Sequence, residues 1–552
     1  MPDDLAEPLR TTQRAPRSCL PCTSRKVKCD KASPCLRCIR RGDVDKCVRE
    51  TVIVRGEVTR GRDLADTPTY EYLMRENERL RNALSAQTSA HHTANPPLLE
   101  PRKPQSLLEC HDVLEEMVFG PTQRPKSINR MSSWVDITSC CPNREASEQL
   151  IAYDKKWNSW VHFALEYPKF EEEHSKFMLA LETGTLLADC DPAWLCLYFS
   201  VVTAALLMMD DDEACRILPG QDHPRVLRDW YESALFCMYR ADFMRVAQIR
   251  IVQAVAVLGM CFYNFGDSEL SRHLWGCAIR TAQTLGLDGS RGSDVPNEMS
   301  QEAQHRLWWT LVICEWLAVP YHVPQVDEGD FNVPLPSLDR KHDLPGGIQP
   351  VQYHIFMART SIVYHRFRSA LREGSRPVAE VVRLADDELA EVINTLPEHL
   401  QPDGGKHKKI QDLEVELPWI KWQRFDISLV LLHHRMRINR ALQKEWTASP
   451  EQYEWARTVC IRSAMDIIWI THNWDQPAAM RRQWALSLHI FVAAIFLLRE
   501  SRRAFPSLGV DFNDEVKLAI GYLDEVKSRN AIADRASDIL CHYIKHTDNP
   551  MP

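Results

Sequence analysis

Cys19, Cys22, Cys29, Cys35, Cys38 and Cys47 are separated by two, six, five, two and eight residues, in a stretch dense in Arg and Lys. Thiolates bind Zn²⁺ four at a time in a tetrahedron, so two ions need eight sulfur bonds, and six thiolates supply eight only if two of them bridge. The pattern therefore fits a cluster of two Zn²⁺. A disulfide framework would need an oxidising compartment. The opening Met1 to Glu7 holds no apolar run of the signal-peptide kind, so reduced, metal-bound thiols are the expectation.

Two short helices must position these sulfurs. Ser18 is placed to cap a helix beginning at Cys19, with Pro21 in its first turn, where a missing N–H costs little. Ser33 stands as a second cap, Pro34 as a first helical residue, and Gly42 follows Arg40 and Arg41 as a stop. Matching cysteine pairs on two helices imply a pseudo-twofold module. With almost no apolar core, it must draw its folding free energy from the metal, on the order of 10 kcal/mol per ion.

From Arg14 to Arg49 there are eleven Lys or Arg against Asp30, Asp43 and Asp45, a formal +8 in a chain whose net charge is −8. Six thiolates with two Zn²⁺ add about −2, so the module stays positive. A compact basic patch on an acidic protein points to nucleic acid. Arg25, Lys26 and Lys28 lie at the C-terminal end of the first helix, where the dipole favours cations. A Lys there can donate to guanine O6 and N7 in the major groove, whereas phosphate contacts only position the protein.

The six-cysteine spacing with its basic loop resembles the fungal zinc binuclear cluster family, the Zn2Cys6 DNA-binding domain. The resemblance implies that Cys19 and Cys35 bridge, that Cys22 and Cys29 complete one zinc, and that Cys38 and Cys47 complete the other. It further implies that Lys26 reads a CGG triplet with Arg25 and Lys28 as basic neighbours, and that Gly42, at the matching place in the second half, reads nothing. Thr23 departs from the family, which usually carries Arg or Lys after the second cysteine.

Tyr70, Leu73, Asn77, Leu80 and Leu84 recur at alternating intervals of three and four, the a/d register of a short coiled coil. Asn77 takes an a position, which favours two strands in one register. A homodimer reading two half-sites is the expectation, with the segment before the helix as the ruler. Ser89 to Gln105 is polar and rich in proline, a linker composition. More than 430 residues of helical periodicity follow.

Within them, Ala278 to Leu287 and Arg306-Leu307-Trp308-Trp309-Thr310-Leu311, followed by Val333-Pro334-Leu335-Pro336, resemble the fungal-specific transcription factor domain, or middle homology region, over about residues 150 to 400. Glu315-Trp316 and Val319-Pro320-Tyr321 stand where that family often has Asp-Arg and Gly-Arg-Pro. The fold expected is mainly α: a small two-zinc, six-cysteine cluster domain, a short coiled coil and a large all-helical regulatory domain. Its expected organisation is a flexible N-terminus (1–16), the Zn2Cys6 domain (17–49), a linker (50–68), the dimerisation helix (69–87), a Pro-rich linker (88–108) and the helical domain (109–545).

Other features carry blander readings. Ala193 to Met209 is a nearly unbroken apolar run of seventeen, flanked by aspartates and without a basic border, so it reads as a buried helix and no membrane partner is expected. Ala485 to Leu498 reads the same way. His433, His434 and Glu315 read as satisfied structural residues, and the tryptophans as packing residues that could also line a pocket. Gly286, Gly289 and Gly292 lack the context of a phosphate loop, and no nucleophile–base pair is legible, so no enzyme is expected. The function expected is a nuclear regulator of RNA polymerase II transcription, working with the transcription machinery, for a metabolic gene cluster, a class that includes secondary-metabolite clusters. The alternatives are a sensor whose helical domain binds a small-molecule effector, and a zinc protein without DNA.

Overall fold

A computed structural model describes residues 11–12, 18–30, 35–48, 50–54, 57–60, 113–119, 133–290, 298–318, 322–338, 347–476, 478–503 and 512–545. The chain divides into two compact units, Met1–Lys103 and Pro104–Pro552, a division inside the Pro-rich segment noted above. The predicted coiled coil, Tyr70 to Leu84, lies outside the described residues.

The first unit holds helices α1 (Leu20–Ser24) and α2 (Leu36–Arg41) and a three-stranded sheet of β1 (Thr11–Thr12), β2 (Thr51–Val54) and β3 (Glu57–Arg60). β2 and β3 form an antiparallel hairpin, with Thr51 opposite Arg60, and β1 runs parallel to β2. Two expectations change here. The 50–68 linker begins with a hairpin, because Thr51-Val52-Ile53-Val54 is β-branched throughout and favours extended backbone. The N-terminal arm is tied at Thr11–Thr12 rather than wholly flexible.

The second unit is helical throughout its described residues. Its first part comprises α3 (Val113–Glu116), α4 (Trp134–Cys140), α5 (Arg144–Trp157), α6 (Ser159–His162), α7 (Tyr167–Glu182), α8 (Pro192–Met208), α9 (Asp211–Ile217), α10 (His223–Arg240), α11 (Ile249–Leu258), α12 (Ser268–Thr284) and α13 (Gln301–Trp316). Its second comprises α14 (Val351–Glu373), α15 (Val378–Asn394), α16 (Lys408–Glu416), α17 (Trp419–Arg440), α18 (Gln443–Ala448), α19 (Pro450–Asn473), α20 (Trp484–Arg503), α21 (Asn513–Val526) and α22 (Ala531–Lys545). The chain is mainly α.

Side-chain caps satisfy the orphan amides at several of these helix starts. Ser133 and Asp136 form a capping box on α4, and Asn143, Asp191, Asp210 and Ser300 cap α5, α8, α9 and α13. Two of the aspartates that flank the apolar run are thus helix caps. The run itself, α8, is buried from Ala193 to Met208 and packs against α10 and α11. α20 is long and apolar enough to cross a membrane, yet most of its apolar window is buried among other helices. Two hydrophobic clusters result, one built largely around α8 and the other around α17, α19 and α20.

Polar contacts stitch these clusters together. Asn264 donates through Nδ2 to the carbonyls of Arg482 (2.7 Å) and Arg529 (2.9 Å). Arg482 donates to the Met209 carbonyl at the end of α8 (2.6 Å), and Trp484 Nε1 to the Gly259 carbonyl (3.0 Å). Trp308, Trp309 and Trp316 are buried around Phe331, as packing residues.

Candidate zinc centre and nucleic-acid interface

All six cysteines of the first unit are buried, and together with half-buried Val27 they make up their own small core. Their sulfurs fall into two groups, Cys19, Cys22, Cys29, Cys35 and Cys19, Cys35, Cys38, Cys47, each with donor atoms within 4.8 Å of one another. Cys19 and Cys35 belong to both. Four sulfurs at about 2.3 Å from a common zinc lie about 3.8 Å apart along each tetrahedral edge. The observed Sγ separations are 3.7 Å for Cys19–Cys35, 3.7 Å for Cys19–Cys38, 3.6 Å for Cys22–Cys35 and 4.0 Å for Cys19–Cys29. The donor set and its spacing fit zinc, and these thiols are not joined as disulfides.

Crowding has an electrostatic consequence. Burial, then hydrogen bonding to neighbouring cysteines, pushes the Cys22 and Cys38 thiols far up, so without a cation they would stay protonated. Bound zinc supplies the charge that makes such a packing of thiolates tolerable.

The local folding differs in detail from the expectation. Each helix starts one residue later than its first cysteine, and Cys19 and Cys35 themselves occupy the N-cap positions, with extended backbone (ψ 154° and 150°) and no side-chain cap. The first helical N–H groups are satisfied from elsewhere. Leu20 donates to the Val48 carbonyl (2.8 Å), and Leu36 to the Asp30 carboxylate (2.8 Å). Val48 and Asp30 each follow the last cysteine of their half, Cys47 and Cys29, so each half closes the start of the other's helix. Ser18 is not the cap of α1, and Cys35 holds the cap position of α2, because a β-region cysteine there turns its sulfur inward to the cluster; Ser33 lies outside the described residues.

The helix ends repeat one another closely. At α1 the Lys26 N–H bonds to the Thr23 carbonyl (3.1 Å) and the Val27 N–H to that of Cys22 (3.0 Å); at α2 Gly42 bonds to Ile39 (3.1 Å) and Asp43 to Cys38 (3.0 Å). Both are Schellman closures, whose turning residue adopts the left-handed conformation usually given to glycine. Gly42 has φ +76°, and Lys26 has φ +51°. A side chain in that conformation costs about 1 kcal/mol. Lys26 is therefore held where glycine would fold more easily, and it is exposed.

Lys28 is also exposed. Arg25 is tied to Asp43 of the other half (2.8 Å), an ion pair that holds its guanidinium above and the carboxyl below their usual ranges. Sequence reasoning missed this contact, which the pseudo-twofold fold alone brings about. Thr23 turns its hydroxyl to the Cys19 carbonyl (3.0 Å) and contributes no cation.

Residues 17–54 match the Fungal Zn(2)-Cys(6) binuclear cluster domain, and residues 152–346 the Fungal specific transcription factor domain. The chain is 22% identical over 483 residues to the probable transcription factor lepB of Aspergillus flavus, covering 80% of this chain and 83% of that protein. It is 23% identical over 317 residues to the aurofusarin cluster transcription factor aurR2 of Gibberella zeae, covering 54% of this chain and 44% of that one. Among solved structures, the K. lactis CBF3 core aligns with a TM-score of 0.52 at 11% identity, covering 80% of this chain and 92% of that one, a likeness of fold.

Proposed function

For a chain that belongs to the fungal Zn2Cys6 transcription factors, we propose that two Zn²⁺ are held with Cys19 and Cys35 as bridging thiolates, and that Lys26 reads a CGG half-site. The observation that carries this reading is the overlap of two sulfur tetrads in those two cysteines. Bound there, zinc would neutralise the thiolates, and the six cysteines would then hold α1 and α2 in place. The chain does the rest: the Schellman turn leaves Lys26 exposed, while Lys28 supplies phosphate-seeking charge beside it and Arg25 does so only where a phosphate displaces Asp43 from it. Because Gly42 holds the matching place without a side chain, base reading falls to the first half.

Pairing through Tyr70, Leu73, Asn77, Leu80 and Leu84 would place two such modules on one duplex, multiplying specificity. The protein acts in the nucleus on RNA polymerase II promoters. The aurofusarin-cluster relative supports regulation of a metabolic gene cluster. Selection of bound sequences from random duplex DNA by the zinc-loaded chain tests the reading, alongside a metal count. Two CGG triplets at one spacing and two zincs per chain are expected. A single triplet would remove the dimer, and no enrichment would overturn the DNA reading.

A further inference from the structure

A cavity of about 200 Å³ lies inside the second unit, at the seam between its two hydrophobic clusters. Its walls come from α12, α13, α14, α17 and α20 and from the turn after α11. A dry apolar cavity of roughly 150 Å³ accepts benzene, so this one has room for a compound of one or two rings. Much of the wall is apolar, including Met260, Trp275, Ile313 and Leu488. Cys314, surrounded by protein, still has accessible surface and lines this space.

The polar part of the wall is unusual because it is unfinished. His433, His434 and His489 are buried, at 0%, 3% and 5% exposure. Both ring nitrogens of His433, Nε2 of His434 and Nδ1 of His489 have no hydrogen-bond partner. The reading of His433 and His434 as satisfied structural residues is therefore corrected. A buried polar atom without a partner loses its hydration and gains nothing in return, so three such rings on one wall call for a bound group. They do not form a metal site, since the groups close enough to share an ion among the described residues are the cysteines alone.

The donor pattern narrows the ligand. The Nδ1 of His434 faces the Val430 carbonyl at 2.8 Å and must donate to it, which leaves Nε2 as an acceptor in the neutral ring. Asp426, whose Oδ2 takes the Tyr353 hydroxyl, presents Oδ1 as a second unpartnered acceptor on the same wall. His433 can act either way, stacked on His489 with ring centroids 4.3 Å apart. Acceptors of this kind ask for a hydroxyl. An anion would meet the buried Asp426 with Arg272, an exposed residue, as the cation on the lining. A cation would meet Glu315 already paired with His322 (3.1 Å) and Asp426 engaged by the Tyr353 hydroxyl and raised to about 6 by burial, beside three imidazoles.

We propose that this cavity is a binding site for a small, uncharged hydroxyaryl compound, its ring against Trp275 and Leu488 and its hydroxyl donated to His434 Nε2 or exchanged with His433 once a side-chain shift uncovers these nitrogens, which neighbouring atoms seal from the cavity as they stand. Because the site draws wall residues from both clusters, occupancy couples the two parts of the helical unit. The proposal is independent of the DNA reading.

Equilibrium dialysis of the full, zinc-loaded chain against 2-naphthol, naphthalene and 2-naphthoate tests it. One saturable equivalent of 2-naphthol is expected, bound at least about tenfold more tightly than either of the others, the worth of about one hydrogen bond. His434→Phe and His433→Phe remove the two proposed partners in turn, and at least one of them should erase that advantage while naphthalene still binds, which reports an intact cavity. Should either variant fail to fold, the ranking of the three compounds on the unaltered chain decides alone. No saturable binding of 2-naphthol, equal binding of all three, tighter binding of the naphthoate, or an advantage that survives both substitutions would overturn the proposal. DNA selection on the same preparation separates its failure from failure of the DNA reading.

Discussion

The cysteine module and the helical unit solve the same problem with opposite materials. The module buries six cysteines, Ile39 and little else that is apolar among its described residues, so its interior is a set of metal donors. The helical unit buries whole helices, α8 and much of α17 and α20, and its core is made of apolar side chains. One region stakes its fold on coordination bonds, and the other on removing apolar surface from water. Reagents that attack one should therefore leave the other standing.

Chelation breaks the comparison most sharply. Zinc removal is expected to abolish DNA binding and the far-ultraviolet signal of α1 and α2, while the main thermal transition of the helical unit stays in place. Concerted loss of both would show that the helical unit leans on the metal. A finer cut comes within the cluster: Cys35→Ala should lose both zincs, because Cys35 serves both tetrads, whereas Cys22→Ala should keep one. Metal analysis of the purified variants distinguishes them, and equal stoichiometry would argue against bridging.

Acid should act on the helical unit. Burial holds His433 and His434 well below the usual imidazole range, and lowers His354 and His489 to about 3 and His399 to about 4. An imidazole depressed in the fold adds stability that is complete above its unfolded value of about 6.5 and is lost as pH falls toward the folded value. Asp426, raised to about 6 by burial, works the other way: its neutral form suits the fold, so acid relieves a penalty there. The lowered imidazoles, with His174 and His365 besides, outnumber Asp426 and the two other raised carboxyls, Asp229 and Asp466, and the melting temperature should fall steadily between pH 7 and pH 5. A flat profile would contradict their burial as neutral groups.

Smaller effects sharpen the DNA face. Lys26→Ala should weaken binding by about 1–3 kcal/mol and relax the sequence preference. Lys26→Gly should do the same to binding yet make the zinc-loaded module more stable than the alanine variant by about 1 kcal/mol, because glycine relieves the left-handed turn. Equal melting of the two variants would dismiss that strain. The smallest change is expected from Asp43→Asn, which frees Arg25: zinc content stays the same, and the slope of binding affinity against salt steepens by about one phosphate contact.

Some of this was legible before any fold was known. Six cysteines at fixed spacing carry their own geometry, since each ligand pair sits on one short helix and tetrahedral zinc restricts what the loops between can do. Gly42 was readable as a stop for the same local reason. The caps were not, because Val48 and Asp30 reach their targets across the pseudo-twofold axis, and nothing in Ser18 or Ser33 reveals that. The hairpin of Thr51–Val54 with Glu57–Arg60 stands in a stretch whose place and length read as linker, although its β-branched residues favour extended backbone.

Local chemistry, in short-range spacing and composition, was enough for the metal donors, the basic face, the helical class and the burial of Ala193 to Met209. The Arg25–Asp43 pair, the shared left-handed turn of Lys26 and Gly42, and the histidine-walled cavity depended on contacts between residues distant in the chain. Imidazoles at 433, 434 and 489 look like ordinary core residues in a helical pattern. Only the packing of α17 against α20 brings them to one wall and leaves their nitrogens without partners, because hydrogen-bond satisfaction is a property of neighbours in space.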